Sequence, residues 1–204
     1  MSVDLDLRCS CGRVHGVLRG VSPTSVNRLV CYCESCQRYA RALGRAAEVL
    51  DEHGGSDIFQ VSAACLGIRS GGELIACLQQ TPKGTLRWYT SCCGSPFVNT
   101  MASEGVPFMG VFCSAVGLGR GQEQHADRVL GPVRARVHAN QQLALAEPSQ
   151  AVFRTAAMVL KFSALLLRWR LRGDHKRWAL DWRTPIDSDV RIRQEGGQKQ
   201  TQNS

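Results

Sequence analysis

Seven of the ten cysteines in this 204-residue chain fall into three tight groups: Cys9-Ser-Cys11, Cys31-Tyr-Cys33-Glu-Ser-Cys36 and Cys92-Cys93. Thiols this closely spaced constrain a fold more than any hydrophobic pattern, because a chain that uses them must converge on a shared partner. The N-terminus, MSVDLDLRCS, has no apolar stretch of the secretory kind. A reducing cytoplasmic setting is therefore expected, where clustered cysteines serve as metal ligands or reactive thiols rather than disulfides.

The Cys31-x-Cys33-x-x-Cys36 group is the strongest local signal. Three thiols within six residues can reach one metal, and zinc accepts thiolates readily. Three cysteines leave a fourth tetrahedral position unassigned. Either the position is open, as in reactive zinc sites, or a ligand elsewhere in the chain closes it. Cys9 and Cys11, together with Cys92 and Cys93, make a candidate four-thiolate site joining the N-terminus to a turn about 80 residues away. Such a cross-link couples metal binding to folding. Adjacent cysteines on a strand point to opposite faces, so Cys92 and Cys93 share a metal only at a sharp turn, which Gly94 and Pro96 favour. Two zinc ions are expected in all. Cys65, Cys77 and Cys113 stand alone in apolar runs and read as small buried hydrophobes. The five histidines lack zinc-finger spacing to the cysteines.

Hydrophobic residues make up 44% of the chain and charged residues 21%, the proportions of a globular protein with a core. The net charge of +8 is uneven: residues 1–150 carry 14 basic and 12 acidic residues, and residues 151–204 carry 11 and 5. Up to about residue 137 short apolar runs alternate with turn signals, among them Gly54-Gly55 and Gly71-Gly72, which predicts a mainly β domain over 1–140. A brief helix is expected from Gln37 to Leu43. From Pro148 the texture changes. Gln150 to Arg172 predicts one helix, with Arg154, Lys161, Arg168 and Arg172 on one stripe and nearly everything else apolar. This basic amphipathic region spans 150–180, and the polar stretch 194–204 is expected to be a disordered tail.

Three motifs in order carry a resemblance: Cys9-Ser-Cys11-Gly12-x-Val14, Cys31-x-Cys33-x-x-Cys36-Gln37, and Arg87-x-Tyr89-x-x-x-Cys93-Gly94. Together, over about residues 5–115, they resemble the glutathione-dependent formaldehyde-activating enzyme (GFA) family, which includes centromere protein V. The resemblance implies a mainly β, Mss4-like (β-tent) zinc-binding fold, here with an added C-terminal helix. It implies a structural zinc on Cys9, Cys11 and Cys93, and a reactive zinc on Cys31, Cys33 and Cys36. One departure marks a divergent branch. The family reads R-x-F-C-x-x-C-G, whereas Thr90 stands here where the first cysteine of that pair belongs, and Cys92 is displaced by two. Either Cys92 substitutes as the fourth ligand or the structural site is altered.

The activity implied is that of a zinc-dependent carbon–sulfur lyase or synthase acting on a small thiol adduct such as S-hydroxymethylglutathione. Arg38, Arg41 and Arg45 follow the CxCxxC group and are candidates to bind glutathione's carboxylates, or are solvated surface charges. The competing expectation is a non-catalytic, zinc-stabilised binding module. Its basic C-terminal helix would contact an acidic partner, a membrane surface or a second copy of the chain, with nucleic acid the less expected partner.

Overall fold

In a computed structural model, residues 2–81, 84–141 and 151–187 are described. The expected tail at 194–204 lies outside them. The chain is mainly β with a few helices. Strands β1 (Val3–Arg8), β2 (His15–Val21), β3 (Asn27–Cys31), β4 (Ser56–Ser62), β5 (Leu66–Ser70), β6 (Ile75–Gln79), β7 (Leu86–Thr90), β8 (Ser95–Thr100) and β9 (Phe108–Phe112) follow one another through the first 112 residues. They fall where the short apolar runs predict strands, except β1. Its Val3-Asp-Leu-Asp-Leu7 alternation is itself a strand pattern.

A three-stranded sheet runs β1-β2-β5. An eight-stranded sheet runs β10-β3-β4-β9-β8-β7-β6-β11, where β10 is Ala135–Val137 and β11 is Ile186–Asp187. From β3 to β6 every neighbouring pair is antiparallel, whereas β10 and β11 pair parallel to the outer strands β3 and β6. Each edge strand is thus covered by a short segment from the C-terminal third, and exposed ladder groups are satisfied. Neither closing strand is foreseen by periodicity, because two or three residues carry no period. Every residue of the central strands β7 and β8 is buried, and Phe97, Val98, Met109 and Val111 at the middle of the sheet are fully enclosed.

Helix α1 (Glu34–Ala42) lies across the sheet; α2 (Ala46–Val49) and α3 (Glu123–Leu130) are short. The Tyr39 hydroxyl donates to the Trp88 carbonyl at 2.8 Å, and its ring stacks on Phe112 at 5.7 Å. Helix α1 begins three residues before the Gln37 expected. The reason is local: the Cys33 sulfur caps it by accepting the Cys36 amide at 3.4 Å, a role sequence patterns assign to oxygen side chains.

The C-terminal helix α4 (Ala151–Leu171) is a single 21-residue helix. Met158, Leu165 and Trp169 are buried against the β domain, and Phe162 meets Phe108 edge to face at 5.5 Å. Lys161, a member of the basic stripe, turns to the β domain. Its ammonium donates to the Pro23 carbonyl at 2.9 Å and to that of Val26. Beyond α4, Trp182 covers Trp88 and buried Asp174 accepts the Ser62 hydroxyl at 2.6 Å. No helix among the described residues is long and apolar enough to cross a membrane.

A buried arginine with two carboxylate partners ties α3 to the sheet. Arg28, 2% exposed, donates to both oxygens of Asp57 (2.6–3.2 Å), to Asp127 at 2.7 Å and to the Gly131 carbonyl at 3.2 Å. Asp57 is 29% exposed and Asp127 55%, so losing Arg28 strands no buried charge, and the cost is that of its charged hydrogen bonds and its packing. Arg28→Ala is expected to lower stability by about 3 kcal/mol, read from urea unfolding of metal-replete protein. A change within the range of exposed ion pairs would show that the cluster is not a structural clamp.

Candidate metal centres

The sulfurs of Cys9, Cys11, Cys92 and Cys93 come together, all within 4.8 Å of one another. Cys9 and Cys11 flank the tight turn after β1, where the Gly12 amide donates to the Cys9 carbonyl at 3.0 Å. Cys92 and Cys93 lie in the β7–β8 turn. There the Cys93 and Gly94 amides both donate to the Thr90 carbonyl, at 3.4 and 2.8 Å. Gly94 closes the turn with φ of +69°, and a Cβ there would sit 3.0 Å from the Leu43 carbonyl oxygen. Both conditions suit glycine. The turn brings the two adjacent sulfurs onto one side, 3.8 Å apart. Other separations are 3.5 Å (Cys9–Cys11), 3.8 Å (Cys9–Cys92) and 3.4 Å (Cys11–Cys92). Four thiolates about a zinc at about 2.3 Å stand about 3.8 Å apart, so the set fits a closed tetrahedral centre.

The Thr90 departure has a geometric counterpart. Cys92 occupies the fourth corner beside Cys9 and Cys11, and the Thr90 hydroxyl stands 3.4 Å from the Cys93 sulfur. Ser95 Oγ is 3.2 Å from the same sulfur. Burial pushes the Cys93 thiol up, but the hydroxyls of Ser10, Ser95 and Thr90 outweigh it and hold it at about 4. The Arg13 amide and guanidinium draw Cys11 down as well. Arg45 donates to the Cys93 carbonyl at 3.2 Å through Nε and to Ser10 Oγ at 2.9 Å. Arg13 donates to the Cys92 carbonyl at 3.2 Å. Arg45 thus belongs to this centre rather than to a substrate site, a role that sequence spacing from the CxCxxC group does not reveal.

The second cluster is Cys31, Cys33 and Cys36, whose sulfurs also lie within 4.8 Å of one another. Cys31 ends β3, Cys33 caps α1, and Cys36 lies in its first turn. Cys31 and Cys36 are buried, while Cys33 is only half-buried. No fourth Cys, His, Asp or Glu joins them among the described residues. The three thiols conflict when left to themselves. Hydrogen bonds from Cys31 and Cys36 pull Cys33 well down, helped by the Cys36 amide and Arg87. The charge placed there, with Cys36 next, drives Cys31 far up. A cation at the centre lets all three ionise together.

Arg87 on β7 is the residue that sequence reading left in a motif without a function. It is 4% exposed, and among the described residues it has no carboxylate partner. Its guanidinium reaches Cys36 Sγ at 3.7 Å through both terminal nitrogens, Ser35 Oγ at 2.8 Å and Asn99 Oδ1 at 3.2 Å, and stands 5.2 Å over the Tyr39 ring. A buried cation needs a compensating anion, and the thiolate cluster is the one beside it. On the outer side, Gln141 accepts the Glu34 amide at 2.8 Å through its side chain and the Gln37 side chain at 2.9 Å through its carbonyl. The chain after β10 thereby covers the start of α1. Arg38 faces solvent and approaches Glu34 at 3.9 Å, and Arg41 donates to Gln37 Oε1 at 3.1 Å.

Cys65, Cys77 and Cys113 and the five histidines join no metal-ligating group among the described residues. Both clusters could hold metal ions. Elemental mass spectrometry is expected to find two per chain, falling to one in Cys33→Ser. Arg87→Met is expected to weaken metal retention at the three-thiol centre about 10- to 100-fold while leaving the four-thiol centre loaded, as read by chelator competition. Equal loss from both centres would mean that Arg87 supports the fold generally and not this cluster.

No curated protein matches the chain. Among solved structures it is similar to a Rhodobacter sphaeroides protein determined as a structural-genomics target. That likeness has 18% identity, covers 63% of this chain and 97% of that one, and has a TM-score of 0.41, too distant to bear on the fold. A family pattern described as a family of unknown function, DUF6151, matches residues 1–169. That is most of the 204 residues, and the chain therefore belongs to the DUF6151 family.

Proposed function

We propose that the Cys31–Cys33–Cys36 centre is a zinc site acting on carbon–sulfur bonds of a small thiol adduct, S-hydroxymethylglutathione being the model substrate. We read the chain as a divergent relative of the GFA and centromere protein V family with an Mss4-like fold, working in a reducing cytoplasm. One observation carries the reading: four cysteines complete the first cluster, and the second has only three, with no further ligand among the described residues. A closed set suits a structural role and an incomplete set suits exchange. A zinc held there supplies, when bound, a position that takes a substrate thiol as its thiolate, the nucleophilic form.

The residues around the cluster fit that task. Cys33, the one half-buried member, marks the side from which a thiol enters. Arg87 offsets the surplus negative charge of three thiolates on a divalent ion, and lowers the cost of a fourth. Three thiolate donors also leave the ion a weak Lewis acid, which favours thiol exchange over carbonyl hydrolysis. Arg38 and Arg41, exposed on the helix that begins at the cluster, are our candidates to meet the carboxylates of a glutathione-like thiol. In the synthetic direction a sulfur–carbon bond forms to the aldehyde carbon, the carbonyl π bond breaks, and the thiol proton ends on oxygen. Nothing is oxidised or reduced.

The test is adduct exchange between glutathione and formaldehyde, followed by magnetisation-transfer NMR with metal-replete protein. Wild type and Cys65→Ser are expected to accelerate exchange. Cys33→Ser, with its four-thiol centre loaded and its circular dichroism unchanged, is expected to fall to the uncatalysed rate. No acceleration by wild type carrying two metals would remove the reading.

A further inference from the structure

Helix α4 is apolar on two opposite sides. One side docks through Met158, Leu165 and Trp169. At 3.6 residues per turn, Ala156, Leu160, Ala164, Leu167 and Leu171 form a stripe about 80° wide on the far side. Leu160 is 73% exposed, Leu167 61% and Leu171 79%. A surface helix ordinarily turns a polar face to water; here the outermost residues are the least polar ones.

The borders of the stripe say what covers it. Arg168 and Arg170 stand on either side, with Arg172 and Lys176 beyond its C-terminal end, and all four are exposed. No Asp or Glu occurs from Ala151 to Arg172. The next acid, Asp174, is turned inward to Ser62 and Arg177. A second copy of the chain is the obvious alternative, since Leu160, Ala164, Leu167 and Leu171 have heptad spacing. However, the flanking positions of such a seam would set arginine against arginine, where paired helices place opposite charges. Ser163 also lies at the edge, and Arg170 donates to the Gly105 carbonyl, but the charged residues of α4 beside the stripe are all cations, which complements an anionic lipid surface. Leucines enter the acyl boundary while arginine stems lie along it and their heads reach the phosphates.

We propose that α4 holds the β domain on an anionic bilayer, lying in the interface plane with Leu160, Leu167 and Leu171 inserted. This is independent of the chemistry assigned to the cysteine centre. The test is flotation of the full-length, metal-replete protein with vesicles of phosphatidylcholine alone or mixed with phosphatidylglycerol. Binding is expected only to the mixed vesicles and is expected to weaken with salt. Each of Leu160→Ser, Leu167→Ser and Leu171→Ser is expected to lower partitioning about tenfold. Each of Arg168→Gln and Arg172→Gln is expected to lower it about fivefold. These side chains are exposed, so folding should be retained, and unchanged thermal melting checks this. No binding by wild type, or binding indifferent to the leucine variants, would overturn the proposal. So would a wild-type dimer in sedimentation velocity that the leucine variants convert to monomer, since the stripe would then be covered by a second copy.

Discussion

Seven cysteine sulfurs packed into two clusters are the constraint on which the rest of the structure depends. Thiols at these separations cannot all ionise unless a cation sits among them. Each cluster also joins separate elements of the chain. The four-sulfur set ties the turn after β1 to the β7–β8 turn, and so links the small sheet to the large one. The three-sulfur set fixes the end of β3 to the first turn of α1, and through Arg87 to the centre of the large sheet. Metal occupancy and tertiary structure are in this sense one equilibrium.

The arginines around the clusters follow the charge. Four thiolates on a divalent ion leave a surplus of two negative charges, and Arg13 and Arg45 border that centre. Three thiolates leave a surplus of one, and the single buried Arg87 lies against that centre. Arg87 is buried, and a buried cation is costly unless paired, which is a physical argument for thiolates at the three-sulfur centre. It also separates the two centres. The first is complete in ligands and held by hydroxyls from Ser10, Thr90 and Ser95. The second has three ligands among the described residues and is half-buried at Cys33.

The C-terminal third does structural work that its composition does not announce. Two very short parallel strands, β10 and β11, close the edges of the large sheet, and the chain after β10 caps the entry to α1. Helix α4 docks through one apolar face and Lys161, yet leaves a second apolar face outward. A helix that only buttressed the β domain would have no need of Leu160, Leu167 and Leu171 on its outer side.

The sequence by itself determined the mainly β character, the position of the long helix and the three cysteine groups, because period-two alternation and ligand spacing are local properties. It also showed that Thr90 breaks the family motif and that Cys92 and Cys93 need a sharp turn to act together. It left open which cysteine stands at the fourth corner, since that depends on how the turn directs two adjacent sulfurs. It placed Lys161 on the basic stripe of the long helix and grouped Arg45 with the residues that follow the CxCxxC motif. It gave Arg87 no task. Those roles arise between residues tens of positions apart: Arg45 with Cys93, Arg87 with Cys36, Lys161 with Pro23. Only the tertiary structure decided them, because charge compensation and burial are properties of neighbours in space, and no periodicity along the chain encodes them.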